Sequence, residues 1–450
     1  GGTVTINQTI TNLFDADGKL APMNANPVGS INVQKVPAAA IAAFAPGQEA
    51  IVDSLIGNGL NATVDTSMDG ADLRAAIQAK ASGLESKITA VRQPQSLRVS
   101  EGRIALTVTP EMAKALQSNK DDAIELGEAT TAIVQLQPID LLSSAPGKFE
   151  MPKDPIKARV TLGDASINLA KAVPSVPGVV GIKDFAADII AKLAEPPNVA
   201  VNGEATLRRP TSDKAASKLN FDAAVEKKGE AFEPTSATIV FEELSVRELE
   251  QMLGKEPGDY SLWTGDQGRL SATLAKTEQG KTKLTLQPQL PNLAGEFVAA
   301  VDENVVNITG QTSTLNLSRA GLESRLNPEA PSGEAQPGGS GKRKKAAGGQ
   351  DGSRITVQSD VPMSLAINRI RVPFDMIRGK PFDPTKADIN FTLAGGPMRM
   401  VMGDGSRANM KDLEMKLETR DISKGLNFAL TGKAIAVAEG GEKQPGRIDV

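Results

Sequence analysis

Apolar and polar side chains alternate with a period of two along much of the chain. Ile104, Leu106 and Val108, for example, are separated by Ala105 and Thr107. This period is typical of a β-strand with one face in an apolar environment and the other in water. Parallel sheets would instead show solid apolar runs joined by long helices. The pattern predicts a mainly β protein in which roughly twenty strands follow one another as an antiparallel meander.

Helix signals are short and few. Residues 184–194 place several apolar side chains on one helical face, with Asp184 as a candidate N-cap, and they predict a short helix. The segment 245–248 has the pattern of a capping box, which predicts a second helix start. Pro37 and Pro373 suit the first position of a helix, where a missing N–H is tolerated. We therefore expect a few short helices at junctions between strands.

These junctions are similar to one another. The segments 31–41, 239–249 and 367–377 each begin with a strand pattern, continue through Val-Pro or Leu-Ser, and end on an apolar residue at the same spacing. Residues 180–207 contain a weaker fourth copy. Because the units differ in length, the pattern predicts a repeat of strand, short helix and strand, not a solenoid of fixed period.

Residues 328–353 differ in composition from their surroundings. They are rich in Pro, Gly and Ser and include the basic run 342–345. Such a segment buries too little apolar surface to fold, so it predicts a disordered linker. The linker separates a repeated β-segment at 1–327 from a further β-repeat at 354–450. We interpret the basic run as a solvated loop, although anionic headgroups or nucleic acid would also attract it.

The amino-acid composition excludes several kinds of catalytic and metal-binding site. The 450 residues include no Cys and no His, which excludes disulfides, thiol catalysis, Cys/His zinc sites and His-based triads. Aromatic residues make up 3% of the chain and the net charge is −4, and neither value is typical of a nucleic-acid-binding protein. No paired arrangement of carboxylates is visible. The sequence predicts a non-enzymatic protein with no cofactor, no metal site and no nucleic acid partner.

Two local motifs are weak. The segment 15–18 resembles the start of a calcium loop, but Asn26 stands where such a loop needs a bidentate acid, so a polar turn is the better interpretation. Tyr260 and Trp263 could line a ligand site. Isolated aromatic residues in a β protein more often belong to the core, and that is the interpretation we favour for both.

The apolar strand faces are the one feature distributed along the chain. They could pack against each other as closed β-sandwich cores. Alternatively, and this we favour, the meander curls into an elongated open groove whose aliphatic lining holds acyl chains. About twenty strands present more apolar face than a few short helices can cover. The candidate lining residues are Ile104, Leu106, Val108, Leu270, Leu274, Ile389, Phe391 and Leu393.

The meander, the recurrent junction, segments such as Leu-Asn-Ala-Thr-Val at 60–64, and the Cys-free composition together resemble a known family. This family is the AsmA/TamB-like proteins of diderm bacterial envelopes, and the resemblance covers residues 3–326 and 354–437. It implies an apolar β-groove that carries phospholipid between the inner and outer membranes. It also implies a periplasmic location, with an inner-membrane anchor outside the present sequence. It supplies no catalytic residue.

Two other functions stay open at the level of sequence. A structural or adhesive surface protein made of β-sandwich repeats would need closed cores with polar outer faces. A β-rich polysaccharide hydrolase or lyase would need a cleft containing a carboxylic acid with a raised pKa. The exposure of the apolar faces distinguishes the groove from closed cores.

Overall fold

A computed structural model describes most of the chain. Outside the described part lie the predicted linker with its basic run, Asp15 of the calcium-like turn, and residues 374–377 of the last repeat junction. The described residues are 1–14, 16–20, 25–44, 47–93, 95–116, 125–145, 148–168, 179–193, 195–209, 212, 214–229, 231–256, 258–276, 281–302, 305–327, 354–373, 387–420, 427–437 and 443–449.

The fold is mainly β, with 67% strand and 11% helix. The described strands belong to one large antiparallel sheet, and the helices are few and short. The predicted antiparallel meander is therefore confirmed. The chain divides into two compact units, the first comprising Gly1–Ile239 and Met252–Gly254, the second Val240–Gln251 and Lys255–Val450.

The first unit contains strands β1 to β15 and most of β16. Their sequences are rich in Val, Ile and Thr at alternating positions, which favours a pleated surface with two different faces. The strands are β1 Thr3–Thr11, β2 Asn26–Val36, β3 Leu60–Asp69, β4 Asp72–Lys80, β5 Leu84–Gln93, β6 Ser96–Val108, β7 Glu125–Leu126, β8 Thr130–Leu136, β9 Ile139–Ala145, β10 Lys148–Phe149, β11 Ile156–Leu162, β12 Ala165–Asn168, β13 Val179–Lys192, β14 Asn198–Arg208, β15 Ala215–Lys228 and β16 Ala231–Ser245.

Pairing in the first unit mostly follows chain order. Strands β1 to β6 form an uninterrupted antiparallel meander. Strand β6 then pairs with β8, β8 with β11 and β11 with β13, after which β13, β14 and β15 pair in order. The shorter strands β7, β9, β10 and β12 pair beside this series. A continuous register therefore extends from β1 to β15.

The second unit continues the same construction. Its strands are β17 Gln267–Lys276, β18 Thr282–Leu290, β19 Leu293–Asp302, β20 Val305–Leu317, β21 Thr356–Val357, β22 Val361–Pro373, β23 Asp388–Gly395, β24 Met398–Val401, β25 Arg407–Thr419, β26 Asn427–Val437 and β27 Lys443–Asp449. Strands β17 to β20 pair in order, followed by β20 with β22, β22 with β23, β23 with β25, and then β25, β26 and β27. The short strand β21 pairs with β24, which pairs with β25. The β20–β22 pair joins the segments on either side of residues 328–353.

Short helices lie between strands, and α1 and α4 begin beside two of the predicted helix starts, at Pro37 and Ser245. They are α1 Ala38–Ala42, α2 Glu49–Ile56, α3 Pro110–Leu116, α4 Val246–Met252, α5 Ser261–Thr264 and α6 Arg319–Leu326. Pro37 is the N-cap of α1, one position before the first helical residue that we expected it to occupy.

Helix α4 begins where the capping box predicts. The Ser245 hydroxyl accepts a hydrogen bond from the Glu248 N–H at 3.3 Å. A carboxylate that the local pattern does not reveal adds to this cap, because Asp266 Oδ1 accepts from the Arg247 N–H at 2.9 Å and from the Ser245 hydroxyl at 3.1 Å. The N-terminus of α4 is thus fixed by Ser245 at the end of β16 and by Asp266, which directly precedes β17.

The helix predicted at 184–194 is wrong, because residues up to Lys192 belong to β13. This strand is hydrogen-bonded to β11 on one side and β14 on the other. Asp184 is not an N-cap but a bulge residue with φ of 53°, and the register shifts between Lys183 and Ala186. A bulge displaces the alternation by one residue, so apolar residues on its two sides imitate a helical spacing. The weaker fourth repeat copy at 180–207 consequently lacks its helix.

The repeat gains support from backbone geometry. Lys35 in β2 and Glu243 in β16 have φ of 52° and 51°, and they occupy the same position in the segments 31–41 and 239–249. Non-glycine residues rarely adopt this left-handed conformation. In β2 it accompanies a register shift against β3. The two junctions therefore share a residue in the left-handed conformation as well as the order of strand, short helices and strand.

Deeply buried apolar side chains form one small cluster among the described residues. In the first unit Val180, Ala216 and Met252 pack together, with Ile167 and Leu207 against them. Most apolar residues of the sheet lie outside this cluster.

The interpretation of Tyr260 as a core residue is wrong, because 49% of this residue is exposed. Trp263 is half-buried, and it lies so near Gly321 of α6 that a Cβ on Gly321 would meet the indole ring.

Candidate functional site

Strand pairing in the first unit aligns apolar side chains in rows across the sheet. Because directly opposite residues share a face, a row of this kind forms a continuous apolar surface. The longest row contains, each opposite the next, Ile6, Ile31, Val64, Ile77, Ile88, Gly102, Leu136, Ala158, Ile189, Val201 and Ala223. This surface is called the first apolar face below.

The predicted lining residues of this unit lie on the first apolar face. Ile104 lies opposite Val134, and Leu106 lies opposite Ala132. Val108 follows at the end of β6. The structure thus brings the three predicted residues onto one face, in rows parallel to the longest one.

The opposite face of the same strands is polar. One row on it contains Thr5, Asn32, Thr63, Gln78, Lys87, Arg103, Gln135, Arg159, Asp188, Asn202 and Asp222, again each opposite the next. Within this row Arg159 and Asp188 form an ion pair with 3.4 Å between nitrogen and oxygen. The two faces therefore differ in chemistry over the whole register from β1 to β15.

The second unit has an apolar face of the same kind, called the second apolar face below. One of its rows contains Leu274, Leu284, Ala299, Ile308, Ile370 and Ile389. A neighbouring row contains Ala272, Leu286, Phe297, Gly310, Ile367, Phe391 and Leu417. Most of these residues were not predicted individually. The alternation of apolar and polar residues along each strand identifies them once the pairing of the strands is known.

The predicted residues of the second unit belong to these rows or to their neighbours. Leu274 and Ile389 stand in the first row and Phe391 in the second. Leu270 and Leu393 lie on the same face, two residues along their strands from Ala272 and Phe391. Strands β17 and β23 are separated by β18, β19, β20 and β22, so the rows connect the predicted residues without direct contact between the two groups.

Exposure distinguishes these faces from a closed core. Every predicted lining residue is half-buried. Leu286, in the middle of a row, is 36% exposed, whereas the clustered Val180 is 6% exposed. The inner face of a sandwich excludes water and packs to the density of a protein interior. The apolar faces consequently remain available for contact with another apolar molecule.

Glycines opposite large side chains shape both faces. Gly203 lies opposite Phe221, whose ring stacks on Phe185 with 5.7 Å between centroids. A Cβ on Gly203 would lie 2.6 Å from the Phe221 ring and 2.4 Å from the Ala186 carbonyl oxygen. Glycines leave room for a facing ring to lie over the backbone. Without that room, Phe221 would be displaced from the first apolar face.

The second unit also contains a buried carboxylate. Glu250 of α4 is 1% exposed, and it accepts hydrogen bonds from the Gly258 N–H at 2.8 Å, the Ser261 N–H at 2.5 Å and the Ser261 hydroxyl at 2.9 Å. The Tyr260 N–H donates to it as well. Burial opposes ionisation of this carboxyl, but the four hydrogen bonds outweigh burial and hold its pKa below the ordinary value of 4.5. Glu250 therefore fixes the loop before α5 and is unsuited to general acid chemistry, which needs a raised pKa.

Three surface hollows among the described residues do not include the predicted lining residues. A hollow of about 480 Å³ lies among residues of β2 to β5, including Asn32, Thr63, Gln78 and Lys87 of the polar row. Two others lie at β18 to β20 and around the Gly396-Pro397 turn. The candidate site that the rows form is thus an extended surface on each unit.

Over the described ranges, no cluster of His, Cys, Asp or Glu is arranged to hold a metal ion. No helix in the described part of the chain is both long and apolar enough to cross a membrane. Comparisons of the chain with protein-family models, curated proteins and solved structures found no match.

Proposed function

We propose that the chain is a non-enzymatic envelope protein of AsmA/TamB type whose apolar sheet faces bind lipid acyl chains and conduct them between the inner and outer membranes. The observation that carries the proposal is the set of continuous apolar rows, most of whose side chains are half-buried and some of which, such as Ile6 and Leu286, are exposed. A large uncovered apolar surface promotes aggregation unless an apolar molecule occupies it. Phospholipid is the abundant molecule of that kind in an envelope.

The composition of the rows suits this task. Each acyl methylene removed from water contributes about 0.8 kcal/mol, so burying about ten methylenes contributes about 8 kcal/mol, from which the cost of association is subtracted. Rows of Ile, Leu, Val and Ala contact a chain without directional bonds. A lipid could therefore slide along a row while its headgroup stays in water.

The two alternative functions have less support. Sandwich repeats need inner faces closed to water, and the half-buried rows do not favour that arrangement. A hydrolase or lyase needs an acid with a raised pKa, and the pKa of the buried carboxylate Glu250 is lowered.

The proposal is tested with phospholipid that carries a photoreactive diazirine in its acyl chain. The purified protein is incubated with vesicles of this lipid, illuminated, digested and mapped by mass spectrometry. We expect labelling at Leu106 and Phe391, and little at their neighbours Thr107 and Thr392, which point to the opposite face. Equal labelling of both faces, or none, would contradict acyl-chain binding by the rows.

A further inference from the structure

Methionine residues cluster on one hairpin of the second unit. Strand β24 contains Met398 and Met400, Met402 follows just after its end, and Met410 stands in β25. These are four of the twelve methionines of the chain, and all lie within residues 398–410. An even distribution of the twelve would place fewer than one in a segment of this length. Such clustering indicates a specific role for the thioether side chain.

The four methionines share one face of the hairpin. The period of two places Met398, Met400 and Met402 on the same side of their strand. Met398 lies directly opposite Met410. The Met402 N–H donates to the Ser406 carbonyl oxygen at 2.8 Å, so the pairing of the hairpin extends to Met402. Because directly opposite residues project from the same face, the four thioethers lie on one side of the sheet.

Their spacing allows several sulfur atoms to approach one point. Opposite residues of an antiparallel pair have Cα atoms about 4.5–5.5 Å apart, and alternate residues of one strand have Cα atoms about 6.5–7 Å apart. The methionine side chain has three rotatable bonds, so it adapts easily to its surroundings. The sulfur atoms of Met398, Met400 and Met410 can therefore converge on one ion held between the two strands.

Exposure argues against a purely structural role for the cluster. Methionine commonly fills irregular gaps in protein cores. Met400 fits that description, because it is 8% exposed and lies opposite the fully buried Val357. Met398, Met402 and Met410 are only half-buried, and gap filling does not explain them. These side chains are accessible to an ion from solution.

The chemistry of the donor set selects the ion. Thioethers are soft, neutral ligands that select Cu(I), whereas Cu(II) prefers nitrogen and oxygen ligands. The chain has no Cys or His to supply other soft or imidazole ligands. Within the described ranges no group of carboxylates is arranged to hold a harder ion. A methionine-only site therefore favours Cu(I).

We propose that the hairpin of β24 and β25 binds one Cu(I) ion through the thioethers of Met398, Met400 and Met410, with Met402 as a further ligand on the same face. The expectation that the chain has no metal site rests on Cys, His and carboxylate ligands, and it does not extend to thioethers. The proposal is independent of lipid binding, because none of the four methionines belongs to the apolar rows described above.

The test is an anaerobic titration of the purified protein with Cu(I), in competition with the chelator bathocuproine disulfonate. We expect one Cu(I) per chain, with sulfur as the ligand atom in its X-ray absorption spectrum. Met398→Leu and Met410→Leu conserve side-chain volume and should leave the protein folded. Each should weaken Cu(I) binding at least about tenfold, since metal sites lose that much even when only a partner of a ligand is removed.

Met415→Leu is the matched control. Met415 is half-buried on the same strand as Met410, but it lies opposite Leu393 and Leu430, so its thioether has no partner sulfur across either strand pair. This variant should bind Cu(I) as the wild type does, and thermal unfolding without copper checks that each variant folds. If Met398→Leu does not fold, Met410→Leu makes the same test.

Three outcomes would overturn the proposal. The first is a wild type that takes no Cu(I) from the chelator. The second is equal affinity in the Met410→Leu and Met415→Leu variants, which would show adventitious binding to scattered methionines. The third is a spectrum in which nitrogen or oxygen atoms replace sulfur around the ion.

Discussion

At the scale of single residues, Glu250 offers the clearest electrostatic test. Its folded pKa lies below the ordinary value because of its hydrogen bonds, so its contribution to stability is present above pH 4.5 and is lost as pH falls through the folded pKa. Glu250→Gln removes the charge and should lower the free energy of unfolding near pH 7 by about 1–3 kcal/mol. Urea unfolding at pH 7 and at pH 3 measures this, and the variant should differ less from wild type at the lower pH.

A matched control separates burial from charge in this experiment. Glu256 is exposed on the same loop, and Glu256→Gln should leave the free energy of unfolding almost unchanged. If Glu250→Gln were equally harmless at pH 7, the buried hydrogen bonds would not be stabilising this loop.

Gly203 gives a steric test at the same scale. Gly203→Ala would place a Cβ 2.4 Å from the Ala186 carbonyl oxygen, so the strands must separate or the Phe221 ring must move. We expect a loss of about 1–3 kcal/mol in thermal or urea unfolding. At Gly163, where the nearest atom to a new Cβ is the Thr130 hydroxyl at 3.3 Å, the same change should have a smaller effect. Equal losses at both positions would argue against the close approach.

At the scale of elements, the bulges of the repeat junctions can be tested by the sign of a substitution. Lys35 has φ of 52°, a conformation that glycine adopts without strain, so Lys35→Gly should raise the free energy of unfolding by about 0.5–1 kcal/mol. Lys87 stands on the exposed polar face of β5 in ordinary extended backbone, and Lys87→Gly should lower the free energy by about 0.5–1 kcal/mol. Urea denaturation of both variants and the wild type measures these changes in the free energy of unfolding. A loss at both positions would indicate that the bulge at Lys35 is not strained.

Bulges also limit how much of the fold could be predicted from the sequence. Alternation within each strand is local, so the mainly β class and the apolar side of a strand, such as that of Leu106, could be identified without a structure. The bulge at Asp184 breaks the alternation, and the segment around it therefore imitates a helix. The rows depend on which strands pair, and the pairing of β6 with β8 or β20 with β22 is not encoded in any one segment. For the same reason, the Gly203–Phe221 pair and the hydrogen bonds of Glu250 could not be anticipated.

At the scale of the whole molecule, a charge placed on each apolar face tests whether the face is open, as its half-buried side chains indicate. Leu106→Asp and Phe391→Asp introduce one charge into the first and the second apolar face respectively. Both sites are half-buried, so on an open face the new carboxylate reaches water and the protein stays folded. In a closed sandwich the same carboxylate would be buried without a partner and would unfold the domain. The melting temperature of each variant therefore distinguishes the two architectures before any lipid is measured.

The lipid measurement then tests the function. Phospholipid co-purified with each folded variant is quantified by mass spectrometry, and we expect less of it in Leu106→Asp and Phe391→Asp than in wild type, because a charge repels acyl chains from the row. Thr107→Asp and Thr392→Asp add the same charge one residue away on the opposite face, and these variants should retain wild-type lipid. If only one of the two apolar-face variants loses lipid, acyl chains bind to that unit alone. Lipid-free wild-type protein together with unfolded apolar-face variants would favour sandwich repeats, since a closed core leaves no apolar surface exposed for a lipid to bind.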